Sequence, residues 1–302
     1  MLVTRNLLKD QVVADSGTYV LDIRDKANLH AIYLEVTATN GATAGLVIYN
    51  MITGIRLIKN GSEDVCVMTG NTCRQVAHDI GVNSMYDIYS LSASTVQTAV
   101  MPILFGHEVI DPNHYIRTDQ LDSLQLRIDY AMTIAATGFA TGTTKFSVVA
   151  IYNYDAPLGE YKGYFRTRTV YTFTSAASGA TEVPLPVGQT LGSAHIGVNE
   201  YGTALATYIS NILYQANQGD RVFYNDATAR IQRMACVLDP ERPQMAAGSL
   251  GVFVTEGACF KHDAFSFDTN VIPANTYKYL NLTLTNASAG KVIVTTVRDL
   301  VT

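Results

Sequence analysis

Short runs of alternating apolar and polar residues recur along the chain, separated by Gly, Asn, Asp and Pro. Thr18-Tyr-Val-Leu-Asp-Ile23 and Ala31-Ile-Tyr-Leu-Glu-Val36 open the series. Period-two alternation puts the apolar side chains of a strand on one face. Helical patterns are few and short. The pattern predicts an all-β protein, a sandwich or jelly roll.

The series is written twice. Ile52-Thr-Gly-Ile55-Arg-Leu57 resembles Ile209-Ser-Asn-Ile212-Leu-Tyr214, 157 residues later. A turn follows each: Lys59-Asn60-Gly61 in the first copy, Asn217-Gln218-Gly219-Asp220 in the second. Asn-Gly between apolar runs is a hairpin signal. The predicted return strands are Asp64–Met68 and Arg221–Tyr224. A helix start then comes in both copies. Asn71 precedes Thr72–Ile80 and Asp226 precedes Ala227–Ala235, each able to cap the first turn. Phe105-Gly-His107-Glu108 matches Phe260-Lys-His262-Asp263, and Leu124-Gln-Leu126-Arg-Ile128 matches Leu280-Asn-Leu282-Thr-Leu284. Both copies end on β-branched runs, Phe146–Ile151 and Lys291–Val297. The shared order predicts a tandem duplication in which Ile52 corresponds to Ile209 and Phe105 to Phe260.

The expected organisation is an arm over 1–16, a first jelly roll over 17–154, a linker over 155–163 and a second jelly roll over 164–302. Pro157 and Gly159 mark the linker. In the arm, Leu7, Leu8, Val12 and Val13 fit one side of a helix. The alternatives for it are a frayed terminus, or an element docking on a neighbouring subunit or a lipid surface. Ser175–Gly192, rich in Gly and Pro, reads as a loop inserted only in the second copy.

Composition narrows the function classes. Hydrophobic residues make up 48% of the 302 and charged residues 16%, against roughly 25% charged in ordinary domains. So little charge suits a surface covered by other copies of the chain. Net charge is −5, with no basic run, so direct nucleic-acid binding is not expected. Cys66, Cys73, Cys236 and Cys259 form no CxxC pair and read as buried thiols made in a reducing compartment. MLVTRNLLKDQVVADSG has no long apolar segment and is not read as a signal peptide. No stretch has the ~18 apolar residues of a membrane span.

The only repeated polar constellation is the pair of His–acid dipeptides, His107/Glu108 and His262/Asp263. Neighbours on a strand point to opposite faces, so they are read as structural, as is His78-Asp79. No nucleophile elbow, zinc-protease motif or phosphate loop is present. No catalytic, cofactor-binding or metal residue is therefore assigned. Tyr152, Tyr154, Tyr161 and Tyr164 leave two readings open, a sugar-binding platform or packing between domains.

The order of Ile-rich strand, Asn-Gly turn, return strand and short helix resembles the double jelly-roll major capsid proteins of tailless icosahedral viruses. Met101-Pro-Ile-Leu-Phe-Gly106, leading through Asp119–Leu124 to Leu126-Arg-Ile128, resembles the later strands of that family's first jelly roll. The nearest type is that of the internal-membrane bacteriophages, FLiP-like. The resemblance implies a non-enzymatic capsid subunit, without cofactors, in pseudo-hexagonal homotrimers. Its implied partners are neighbouring capsomers, a vertex protein and a membrane beneath the shell. The implied location is the virion, after synthesis in the host cytoplasm. The alternative is a carbohydrate-binding or glycan-processing protein built of two jelly rolls.

Overall fold

The computed structural model describes residues 2–43, 45–79, 90–155, 159–200, 203, 205–230, 257–260 and 276–302. The chain divides into two compact units, one reaching Arg166 and the other Thr167–Val301.

The strands of the first unit are β1 (Leu2–Val12), β2 (Ser16–Asp22), β3 (Asn28–Thr39), β4 (Ile52–Lys59), β5 (Glu63–Met68), β6 (Val96–Leu104), β7 (Ile116–Arg117), β8 (Leu124–Ala131) and β9 (Lys145–Asn153). One sheet runs β1-β9-β3-β6, with β7 added beside β3, and the second runs β2-β8-β4-β5. Their inner faces meet. Phe146 of β9 packs edge-on against Tyr19 of β2 and Tyr130 of β8, at centroid distances of 5.8 and 4.9 Å. Ile32, Leu34, Val36, Ile55, Leu57, Leu126, Ile128 and Val148 are wholly buried. These are the apolar positions of the alternating runs, which is why one face of each strand becomes core.

The second unit repeats this plan with β10 (Tyr164–Thr174, whose first three residues belong to the first unit), β11 (Ala180–Pro184), β12 (Thr190–Val198), β13 (Ile209–Ala216), β14 (Arg221–Ala227), β15 (Gly257–Phe260), β16 (Leu280–Asn286) and β17 (Val292–Val301). Its strand orders are β10-β17-β12-β15 and β11-β16-β13-β14. With β7 set aside, β1 to β9 map in order onto β10 to β17. Among the described residues, each unit is thus an eight-stranded jelly roll.

The correspondence extends to register. Ile55 faces Ile128 and Leu57 faces Leu126; Ile212 faces Leu284 and Tyr214 faces Leu282. A bulge between Ile52 and Gly54 recurs between Ile209 and Asn211. A second bulge, between Leu57 and Ile58, recurs between Tyr214 and Gln215. Bulges re-aim every residue beyond them, so duplicated bulges fix Ile209 as the counterpart of Ile52.

Three expectations are corrected. Residues 2–12 are not a detached or helical arm: they are β1, paired along β9. Two bulges, between Asn6 and Leu8 and between Leu8 and Gln11, break its alternation, and the broken phase imitates helical spacing. Second, Ser175–Gly192 is not an insertion. It carries β11, the counterpart of β2: Leu21 faces Leu126 as Val183 faces Leu282. Third, the bulge at Leu29/Ala31 recurs at Leu191/Ser193, which aligns Ile32 with Ala194. Ile32 faces Ile103 and Ala194 faces Phe260. Phe260 therefore takes the place of Ile103, not Phe105.

The predicted first helix is α1 (Gly70–Asp79), but Asn71 does not cap it. The Thr69 hydroxyl accepts from the Thr72 N–H at 3.2 Å, the N-cap arrangement. Asn71 lies inside the first turn and donates to Asn50 at 2.6 Å. Gly70 is required there, since a Cβ would lie 2.7 Å from the Tyr49 carbonyl oxygen. Of the second predicted helix, residues 231–235 lie outside the described residues. No helix among the described residues is long and apolar enough to cross a membrane.

Candidate functional site

The chain leaves β6 at Leu104 and reaches β7 at Ile116 through a loop whose polar residues converge on Asp111. The Asp111 Oδ2 accepts the His107 backbone N–H at 2.8 Å and lies 3.0 Å from His114 Nδ1. Its Oδ1 accepts the N–H groups of Asn113 and His114 at 2.9 and 3.1 Å. The carboxylate thus organises a tight turn, as Asp does when it bonds the backbone just beyond it. Gly106 lets the chain double back over it, since a Cβ there would lie 2.2 Å from the Asp111 Cβ.

Asp111 and His114 are buried and His107 is half-buried. Phe165 packs on both imidazoles, at 4.6 Å from His107 and 4.9 Å from His114. The two rings stand perpendicular, 5.2 Å apart. Burial favours the neutral acid, but the bonds from His114 and from the His107 and Asn113 N–H groups outweigh it. The Asp111 carboxyl is held well below the usual carboxylate range. Behind it, His30 is buried against Tyr115 at 5.2 Å. Desolvation lowers the His30 pKa against the pull of the Asp111 charge.

The structure brings together one residue singled out in the sequence, His107, with two that were not, Asp111 and His114. The spacing His-x3-Asp-x2-His was visible in the sequence but follows no strand period. Donor atoms of the three side chains lie within 4.8 Å of one another, close enough for one ion to touch all three. Glu108 is not among them. His262, Asp263 and Cys236 lie outside the described residues. His78 and Asp79 close α1, and their side chains are not described. Cys66 and Cys73 are buried free thiols whose pKa burial pushes up.

The four tyrosines do not form one platform. Tyr152 and Tyr164 are buried, and Tyr154, which packs on Tyr152 at 5.7 Å, is the exposed member. Tyr161 packs on Tyr115 at 5.0 Å, and Lys59 sits over the Tyr164 ring at 5.2 Å. All of these contacts lie within the first unit, which favours packing inside one jelly roll over a sugar platform.

The fold is the double jelly roll. No protein-family model matches the chain, and no curated protein matches it. Solved structures do. The major capsid protein of Sulfolobus turreted icosahedral virus matches with a TM-score of 0.71 at 10% identity, over 99% of this chain and 97% of that one. The major capsid protein P2 from bacteriophage PM2 matches with a TM-score of 0.66 at 13% identity, over 100% and 98%. The PBCV-1 virus capsid structure matches with a TM-score of 0.69 at 12% identity, over 99% and 94%. The likeness spans both jelly rolls and their order.

Proposed function

We propose that this chain is a structural subunit of an icosahedral viral shell, and not an enzyme. One observation carries the reading: two complete jelly rolls follow one another in a single chain, matching viral major capsid proteins over almost the whole length of each. Low charge density, 16%, suits a molecule whose sides are covered by its own copies.

Duplication suggests how it assembles. Closed assemblies of identical chains are usually cyclic, and three chains of two similar modules present six wedges. Such a homotrimer fits a hexagonal position while the two halves diverge where their contacts differ. The finer reading is a pseudo-hexagonal capsomer that tiles a shell over an internal membrane, with a separate protein at the vertices. A net charge of −5 gives no electrostatic footprint for the genome. The buried thiols of Cys66 and Cys73 suit folding in a reducing host cytoplasm before incorporation into the virion.

Native mass spectrometry and electron microscopy of the purified protein test this. A trimer forming hexagonal capsomers supports the reading. A monomer that stays monomeric at every concentration and forms no ordered assembly overturns it. Lipid extraction from assembled particles tests the membrane separately.

A further inference from the structure

We propose that His107, Asp111 and His114 form a binding site for a zinc-class divalent cation. The inference rests on the loop between β6 and β7 and does not depend on the capsid reading.

The donor set is two imidazoles and one carboxylate. Imidazole suits zinc, nickel, cobalt and copper(II), and two imidazoles with a carboxylate are a common three-residue zinc set. Calcium is disfavoured because it takes six to eight oxygens, and copper(I) because no thiolate takes part. With ligand bonds of about 2.0–2.1 Å, neighbouring donors of a tetrahedral ion lie about 3.3 Å apart. His114 Nδ1 and Asp111 Oδ2 are already 3.0 Å apart. The widest donor separation in the trio is within 4.8 Å, and rotation of the half-buried His107 ring closes it. The side of the cluster toward His107 is the accessible one, leaving a fourth position for water.

The site is preorganised. Asp111 cannot swing away, because three backbone N–H groups hold its two oxygens. Phe165 packs against both imidazoles, edge-on to His107 and tilted to His114, and is itself anchored, its N–H donating to the Phe105 carbonyl at 2.8 Å. The carboxylate also lacks a fixed cation: among the described residues, its one ion-pair partner is His114. A carboxylate that is 5% exposed and has no Lys or Arg paired with it among the described residues is stabilised by a dication in its plane. A second buried imidazole lies behind it. His30 is 1% exposed, and neither of its ring nitrogens makes a hydrogen bond of ordinary geometry. On binding, the ion takes the place of the hydrogen bond between His114 Nδ1 and Asp111, and the imidazole ligates as the tautomer that carries its proton on Nε2. The ion then ties the β6–β7 loop into one rigid turn under Phe165.

The experiment uses the full chain, stripped with chelator and dialysed. Zn2+ alone is titrated by calorimetry and Co2+ alone by visible absorption. The expected result is one equivalent per chain, with the intense absorption of tetrahedral Co2+. His107→Gln, at the accessible rim, should weaken binding at least about tenfold, with circular dichroism of the metal-free chain checking that the variant folds. His262→Gln should bind as the native chain does. In the native protein, Co2+ should shift the imidazole NMR signals of two coordinating histidines, a readout that needs no variant to fold. Absence of stoichiometric binding by the native chain, native affinity in His107→Gln, or shifts confined to other histidines would each overturn the proposal.

Discussion

Arg168 on β10 donates through Nε to the Asp299 carboxylate on β17 at 3.2 Å, and the Asp299 side chain is wholly buried. Arg168 also donates to the Gln189 side chain at 2.6 Å. Two adjacent strands and the approach to β12 are thus tied by one guanidinium. Removing one partner of a buried pair leaves a charge in a poorly solvated place. Arg168→Met should destabilise the second unit by about 2–4 kcal/mol, below the fully buried range because the Arg168 side chain is 33% exposed. Urea unfolding followed by tyrosine fluorescence measures this, and an unchanged midpoint would show the pair to be energetically neutral.

Gln97, wholly buried on β6, holds the crossing between the two sheets of the first unit. Its amide donates to Asn40 Oδ1 at 2.7 Å and to the Leu46 carbonyl at 2.8 Å, and its oxygen accepts the Ile48 N–H at 3.2 Å. Asn40 in turn donates to the carbonyls of Ser90 and Ser92. Gln97→Leu keeps the size and strands those partners, so it should cost about 2–4 kcal/mol. Gln97→Glu adds a buried charge and should be no better. Thermal melts of both variants check the ordering.

Most of the β architecture was legible because strands with one wet face write their period into the sequence. Ile52–Leu57 and Ile209–Tyr214 show it most clearly, and their duplicated bulges later fixed the match. The failures have physical causes. In β1, two bulges scrambled the phase around Leu7 and Leu8. In β11, the short run Ala180–Pro184, flanked by Gly179 and ending in Pro184, carried loop punctuation although Val183 is wholly buried. The cluster around Asp111 was illegible for a different reason. Its members come from a loop whose course is set by the Gly106 approach and by Phe165, 54 residues after Asp111 in the chain. Only His107 attracted notice, and for its neighbour Glu108, which plays no part in the cluster.

Acid should loosen the second sheet of the first unit through Asp129. Partial burial raises the pKa of this carboxyl, but hydrogen bonds from Thr18 and Arg127 and the charges of Arg127 and Arg56 bring it below its ordinary value. A carboxylate depressed in the folded state adds stability above its unfolded pKa of about 3.9. That stability is lost as pH falls through the folded value. The melting temperature should therefore hold between pH 7 and about pH 5 and fall below pH 4. Asp129→Asn should melt lower at pH 7 and show a shallower acid slope. Calorimetric scans across this range decide it, and parallel acid slopes in the two proteins would remove Asp129 as the cause.

The duplication itself makes an energetic prediction. Ile55 and Ile212 are wholly buried, lie two residues past equivalent bulges from Ile52 and Ile209, and face Ile128 and Leu284 across equivalent ladders. Truncating either to Ala removes the same methyl and methylene groups from the same place in a jelly roll. The loss is the transfer term plus the cavity left behind, about 2–5 kcal/mol for a buried Ile. The transfer terms are equal, so a difference between the variants reports how far each core collapses around the gap. Around Ile212 the neighbours include Tyr214, whose ring packs on Phe223 at 4.6 Å, and stacked rings resist closing onto a void. Ile55 has Leu57 in the corresponding place. Ile212→Ala should therefore be the costlier of the two, by about 1 kcal/mol, as measured by denaturant midpoints at matched protein concentration. Greater loss in Ile55→Ala would show that the two cores, equal in register, relax by different rules.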